Sequence, residues 1–264
     1  MRETSSEAPG EAMFQVRGMT KKYGGRTILD GLNFDVNRGE CLVILGRSGS
    51  GKSVTLRQLN GLETPEAGTV MFGGINLTEL SEHQLFPYRR RIGMLFQSGA
   101  LFDSMNVFDN IAFPLREHSG KSEGEIAETV RQKLEMVRLK DVEKKMPSDL
   151  SGGMRKRAAL ARSLALDPEA MLFDEPTTGL DPVTSATIGK LIRSIQSELG
   201  VTSVVVTHDI PLARHVGDRL AFLSAGRFTF IGDWEQAERD RETELADFLD
   251  GRDPEEVQEG AHVA

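Results

Sequence analysis

A glycine-rich run follows an apolar stretch in the first part of the chain: Leu42-Val-Ile-Leu-Gly-Arg-Ser-Gly-Ser-Gly-Lys-Ser-Val54. Gly46, Gly49 and Gly51 permit a tight turn in which successive N–H groups point inward, the arrangement that grips phosphate oxygens. Arg47, Ser48 and Ser50 complete that turn. Lys52 adds a point charge for β- and γ-phosphates, and Ser53 offers a hydroxyl suited to Mg2+. Val54 stands in the helix that follows, whose positive end faces the same anion. The run Cys41 to Leu45 reads as a buried strand ending where the glycines begin. These spacings predict a nucleoside-triphosphate site.

A second constellation lies downstream. Leu150-Ser151-Gly152-Gly153-Met154 precedes a helix expected over Arg155 to Ala165, and Met171-Leu-Phe-Asp-Glu-Pro176 follows. Its apolar run is a second buried strand, with a carboxylate at the C-terminal end where ligands sit in open α/β sheets. Asp174 there suits Mg2+ and its water, and Glu175 is the natural base for an attacking water. A strand running into a solvated acidic turn is the plainer account of two acids. The phosphate loop upstream favours the chemical one.

The elements that must hold these groups imply an α/β fold: a P-loop core with a parallel sheet, an antiparallel β subdomain and a helical subdomain. Phe14 to Val36 alternates apolar and polar residues and reads as short antiparallel strands around a loop bearing Tyr23. From Ser98 the pattern turns helical, with a capping box at Ser122 to Glu125 and Ile126, Val130, Leu134 and Val137 on one face. Asp181-Pro182 opens another helix that Gly200 ends. Strands Ser203 to Thr207 and Arg219 to Leu223 follow, and Ala225-Gly226 turns the chain back. The expected divisions are 1–13, a polar tail; 14–97, the first core part; 98–167, helical; 168–232, the second core part; and 233–264, an acidic extension.

Net charge is −8, and it is uneven: residues 233–264 hold twelve acids against three arginines, leaving 29 basic and 28 acidic residues elsewhere. Such a body carries no basic stripe for nucleic acid. No apolar run approaches the roughly 20 residues that span a bilayer, and the polar Met1 to Glu11 does not read as a signal peptide. The lone cysteine, Cys41, excludes an internal disulfide and reads as a small core residue.

In this order the motifs resemble the ATP-binding subunits of ABC transporters, over roughly Phe14 to Asp233. The resemblance implies a role for each matched position. Tyr23 stacks on adenine; Gln97 reaches Mg2+ and the attacking water; Ser151, Gly152 and Gly153 form the signature that serves the γ-phosphate of a second subunit. Asp181 belongs to the D-loop, and His208 is the switch histidine. It also implies ATP and Mg2+ as ligands, a head-to-tail homodimer, integral-membrane permease subunits and a place on the cytoplasmic face of the inner membrane. Met154, where most members carry glutamine, together with Leu95 to Val107, Ala112 to His118 and Phe248-Leu-Asp-Gly251, is similar to the Mla/Mce phospholipid-transport branch. That branch implies an MCE-domain lipid-binding partner and a small STAS-type regulatory subunit. An importer ATPase for a small polar solute such as an amino acid is the alternative. The tail is expected either to solvate or, through Phe248 and Leu249, to clasp the partner subunit.

Overall fold

The computed structural model describes residues 11–239 and 243–252. Two sheets share the core. The first has the order β2-β1-β4-β5 and is antiparallel, built from β1 (Ala12–Tyr23), β2 (Arg26–Asn37), β4 (Ala67–Phe72) and β5 (Ile75–Asn76). The second contains β3 (Cys41–Leu45), β6 (Ile92–Leu95), β7 (Ala170–Asp174), β8 (Thr202–Thr207), β9 (Arg219–Ser224) and β10 (Arg227–Gly232). Its order is β10-β9-β3-β8-β7-β6, parallel except for the hairpin partner β10. Every residue of β3, β7 and β8 is buried, as expected of parallel strands covered on both faces. All three point their C-terminal ends at one edge, where the glycine loop begins.

Helix α1 (Lys52–Leu59) leaves the loop, and α2 (Glu82–Arg89) crosses toward β6. The helical part consists of α3 (Val107–His118), α4 (Glu123–Met136) and α5 (Gly152–Ser163). Ser122 and Glu125 make the expected capping box on α4, and Ile126, Val130 and Leu134 are buried. Asp181 caps α6 (Pro182–Leu199) by accepting from the N–H groups of Val183 and Thr184, both at 3.0 Å, and Gly200 ends it in the left-handed conformation. Helices α7 (Ile210–Val216), α8 (Trp234–Arg239) and α9 (Glu244–Leu249) complete the described chain.

Three expectations change. The first two strands are long, twelve residues each, and Tyr23 ends β1 rather than sitting in a loop. Register shifts along their pairing break the alternation that would have announced their length. The helix expected from Arg155 starts at Gly152, because the Ser151 hydroxyl accepts from the Met154 N–H at 3.3 Å and so makes Ser151 the N-cap. Residues 243–252 pack against their own chain rather than only solvating it. Leu245 and Ala246 are buried in the chain's own core, and Phe248 packs on Phe222 with ring centroids 5.2 Å apart.

Candidate nucleotide site

The loop after β3 is held by contacts that only glycine allows. A Cβ on Gly46 would lie 2.4 Å from the Leu223 carbonyl oxygen, and one on Gly51, at φ +108°, would lie 2.6 Å from a Leu29 methyl carbon. Gly49, at φ +79°, faces open space. The loop closes on itself through the Ser50 N–H to the Arg47 carbonyl at 3.2 Å. Beside it opens a cavity of about 850 Å³. Arg47, Ser48, Gly49, Gly51, Lys52, Ser53, Val54, Gln97, Glu175 and His208 line it, together with Ile28, Thr178 and Phe248.

Its floor is a cluster of opposed charges. The buried Lys52 ammonium donates to the Gly46 and Arg47 carbonyls at 2.8 and 3.1 Å and lies 3.3 Å from Glu175 Oε1. His208 Nδ1 lies 2.9 Å from Glu175 Oε2. The Thr178 and Thr207 hydroxyls donate to the same oxygen at 3.3 and 3.4 Å. Glu175 is thus buried and bonded on both oxygens, on a backbone with φ +46°. For a residue other than glycine that conformation costs about 1–3 kcal/mol. The strand edge maintains it: the Glu175 N–H donates to the Val206 carbonyl of β8 at 3.0 Å.

Asp174 stands beside it, accepting from the Ser53 hydroxyl at 2.7 Å. Burial raises the Asp174 carboxyl above the ordinary aspartate value, and the neighbouring Glu175 pushes the same way; Ser53, Arg57 and Lys52 offset part of this. Hydroxyl and carboxylate oxygens side by side are a hard-ligand set, and a carboxylate whose charge is poorly solvated by burial gains from a divalent cation. The residues present therefore fit Mg2+. They equally fit a triphosphate, whose oxygens would meet the Lys52 ammonium and the N–H groups of an open glycine turn.

Not every expected residue converges here. Tyr23 is 41% exposed, its hydroxyl donates to Glu63, and it is not among the residues lining the cavity. Ser151 and Gly152 are exposed at the head of α5 and lie outside the cavity, as does Asp181, whose carboxylate is held well below the usual range by the Thr184 hydroxyl and the α6 N–H groups. Gly153 is buried there because a Cβ would lie 2.5 Å from a Thr184 methyl carbon.

Some contributors escaped the sequence reading. Thr178 and Thr207 had a signal in their places, three residues beyond Glu175 and one before His208. Lys156 did not look special in the basic start of α5, yet it is buried and its ammonium donates to the Gln97 carbonyl. Burial lowers its pKa, while Asp174 and Glu175 pull the other way. Arg162 donates to the Ala100 carbonyl at 2.6 Å, and buried Asn110 bonds both the N–H and the carbonyl of Phe102. The stretch after Gln97 is therefore hung from α5 and α3. Beside it a groove of about 510 Å³ runs between α2 and the helical part, lined by Phe86, Phe96, Pro114 and Arg162 among others. Phe86 and Phe96 are exposed there, as are Phe102 and Phe113 nearby.

A family described as ABC transporter matches residues 29–178. The intermembrane phospholipid transport system ATP-binding protein MlaF of Escherichia coli K12 is 42% identical over 239 residues, 90% of this chain and 89% of its own. The chain belongs to the ABC transporter ATP-binding family. It is an ATPase cassette of that family, as the ligands of a solved neighbour underline: the dimeric post-hydrolysis cassette MJ0796, bound to ADP and Pi, has a TM-score of 0.78 at 34% identity, covering 84% of this chain and 98% of that one. The cbiO1 cassette of Clostridium perfringens, part of the cbiONQ transporter complex, has a TM-score of 0.80 at 28% identity over 96% of this chain and 100% of its own. A probable ribonucleotide transport ATP-binding protein, mkl of Mycobacterium leprae, is 44% identical over 92% of this chain and 70% of its own length. The expected α/β cassette fold and ATP chemistry both stand.

Proposed function

We propose that this cassette powers a phospholipid-moving permease of the Mla/Mce type. The observation that carries the reading is the extent of the MlaF likeness. The likeness to MlaF covers 90% of this chain and 89% of MlaF itself, whereas the likeness to mkl reaches 70% of mkl's length. The aromatic groove beside Gln97 supports a permease segment as its occupant, since an exposed apolar trough of this kind marks an interaction site. No helix among the described residues is long and apolar enough to cross a membrane. In the proposed assembly the permease holds the cassette at the cytoplasmic face of the inner membrane. An MCE-domain protein and a small STAS-type subunit complete the proposed assembly.

In the proposed chemistry, Lys52 and the loop N–H groups hold the β- and γ-phosphates. Ser53, Asp174 and Gln97 would hold Mg2+, which when bound neutralises phosphate charge. Glu175 accepts a proton from the attacking water, and its four bonding partners keep the carboxylate aimed. His208 steadies Glu175 and faces the γ-phosphate. Tyr23 stacks on adenine. Ser151, Gly152 and Gly153, with the D-loop Asp181, act on the nucleotide of a second copy, so that two chains make two sites related by two-fold symmetry.

The test is purification of the chain from its native membrane together with deletion of its gene. A co-purifying MCE-domain protein, with phospholipid mislocalised and the envelope sensitised to detergent, supports the reading. Loss of amino-acid uptake with envelope lipid unchanged would favour the importer, and loss of ribonucleotide uptake would favour the role named for mkl.

A further inference from the structure

Residues 243–252 of the acidic extension return to the nucleotide site of their own chain. Helix α9 ends in a Schellman turn: Gly251, at φ +69°, donates to the Phe248 carbonyl at 3.2 Å, and Arg252 donates to that of Asp247 at 2.8 Å. This turn aims the Arg252 carbonyl at the phosphate loop, where it accepts from the Arg47 guanidinium at 3.4 Å. Arg47 Nε is buried there without a hydrogen-bond partner among the described residues. One turn earlier, Phe248 stands on Phe222 of β9. Phe222 pairs with Leu45, the last strand residue before the loop, and Phe248 lines the nucleotide cavity opposite Gln97, Glu175 and His208.

A carboxylate-rich segment beside a phosphate site should repel its ligand. This one has its charges occupied elsewhere. Asp247 and Asp250 pair with Arg252 at 3.3 and 2.5 Å, and Glu244 accepts from the Ser224 hydroxyl at 2.8 Å. What α9 presents to the cavity is the Phe248 ring, while the Arg252 carbonyl beyond it meets Arg47. Leu245, fully in the core, anchors the helix so that the ring is held in place rather than free to swing.

We infer that Phe248 is a nucleotide-binding residue in cis: its ring is a wall against which bound ATP packs, with the Arg252 carbonyl bracing the outer rim of the loop through Arg47. The inference rests on the assignment of this cavity to ATP and adds a specificity element to it. Its role is in binding, so it acts on ground-state affinity and leaves the chemical step alone.

The test is titration of the full-length protein with a fluorescent N-methylanthraniloyl ATP, with thermal unfolding measured alongside. Phe248→Ala should weaken binding by roughly three- to tenfold, the worth of one aromatic contact. Phe248→Leu should stay within about twofold of the parent affinity. Unchanged affinity in a folded Phe248→Ala protein overturns the inference. Should that variant not fold, hydrogen exchange on the parent decides: ATP must slow exchange at residues 244–252, and exchange indifferent to ATP is the contrary result. Lys52→Ala separates the two layers. If it still binds ATP, the cavity assignment itself fails; if it does not and Phe248→Ala is silent, only the role of Phe248 does.

Discussion

Two regions of this cassette carry glycines suited to anions, and they are in opposite states of completion. At the floor of the cavity every charge has a partner within the chain: Lys52 with two carbonyls and Glu175, Glu175 with His208 and two threonines, Asp174 with Ser53. At the head of α5 the Ser151 hydroxyl does nothing but cap its own helix, and Ser151 and Gly152 stand exposed. Both places offer helix N-termini, which favour negative charge. Only the first is supplied with a base, a cation and a carboxylate pair. One region is a reaction centre lacking a lid; the other is a lid lacking a reaction centre. On the proposed reading each completes its counterpart in a second copy.

The sharpest way to break that contrast is at Glu175. Glu175→Gln keeps the shape of the floor and removes the base, and should lower kcat by about 10²–10⁴-fold while ATP still binds and a dimer accumulates. Turnover within tenfold of the parent would take Glu175 out of the role. A mixing experiment addresses the lid. Ser151→Arg and Lys52→Ala chains should each fail to dimerise with ATP, and their mixture should recover one whole site per pair. Light scattering reads this directly, and a mixture no better than its components would show that the head of α5 serves no second subunit.

The third prediction separates stability from function within the floor. Because burial raises the Asp174 carboxyl, its protonated form is the one the fold prefers. That contribution to stability is fully present below the ordinary value of 3.8 and is lost as pH rises through the raised one. At neutral pH and without nucleotide, Asp174→Asn should therefore raise Tm, by roughly 2–4 °C, while Mg2+-dependent hydrolysis collapses. The gain in Tm should shrink toward acid pH. A lower Tm at pH 7 would mean that the Ser53 bond outweighs burial. Ser122→Ala gives the smallest effect and the baseline. It removes a capping box far from both regions, costing about 1 kcal/mol, with hydrolysis unaltered. Calorimetry and a steady-state assay check it together.

What could be read in advance was whatever local spacing dictates. Asp181-Pro182 and Gly200 bracket α6 because caps are neighbours in sequence, and β3, β7 and β8 are apolar throughout because both faces are covered. The lengths of β1 and β2 were hidden by register shifts that move a side chain to the opposite face. Helix α7 was missed because its seven residues carry too few apolar positions to show a period, although Asp209 caps it and Pro211 sits in its first turn. Within the site, Glu175 and His208 announced themselves by following apolar strands. Lys156 could not, since it matters through contact with Gln97, 59 positions away, and the place of the Phe248 ring is set by packing on Phe222 of β9, which no local spacing reveals.

Cys41 has a practical bearing on all of these measurements. It sits in the middle of the parallel sheet, only 1% exposed, and burial pushes its thiol up to about 12. The thiolate is the nucleophile toward alkylating reagents, and burial both disfavours it and shields the sulfur, so Cys41 should stay unlabelled at neutral pH. The chain is in effect a ready-made cysteine-free background that needs no mutation to become one. A spectroscopic label placed through Val183→Cys, at an exposed position, would report from a single known point, and the approach of two copies during turnover could be followed as a distance in solution.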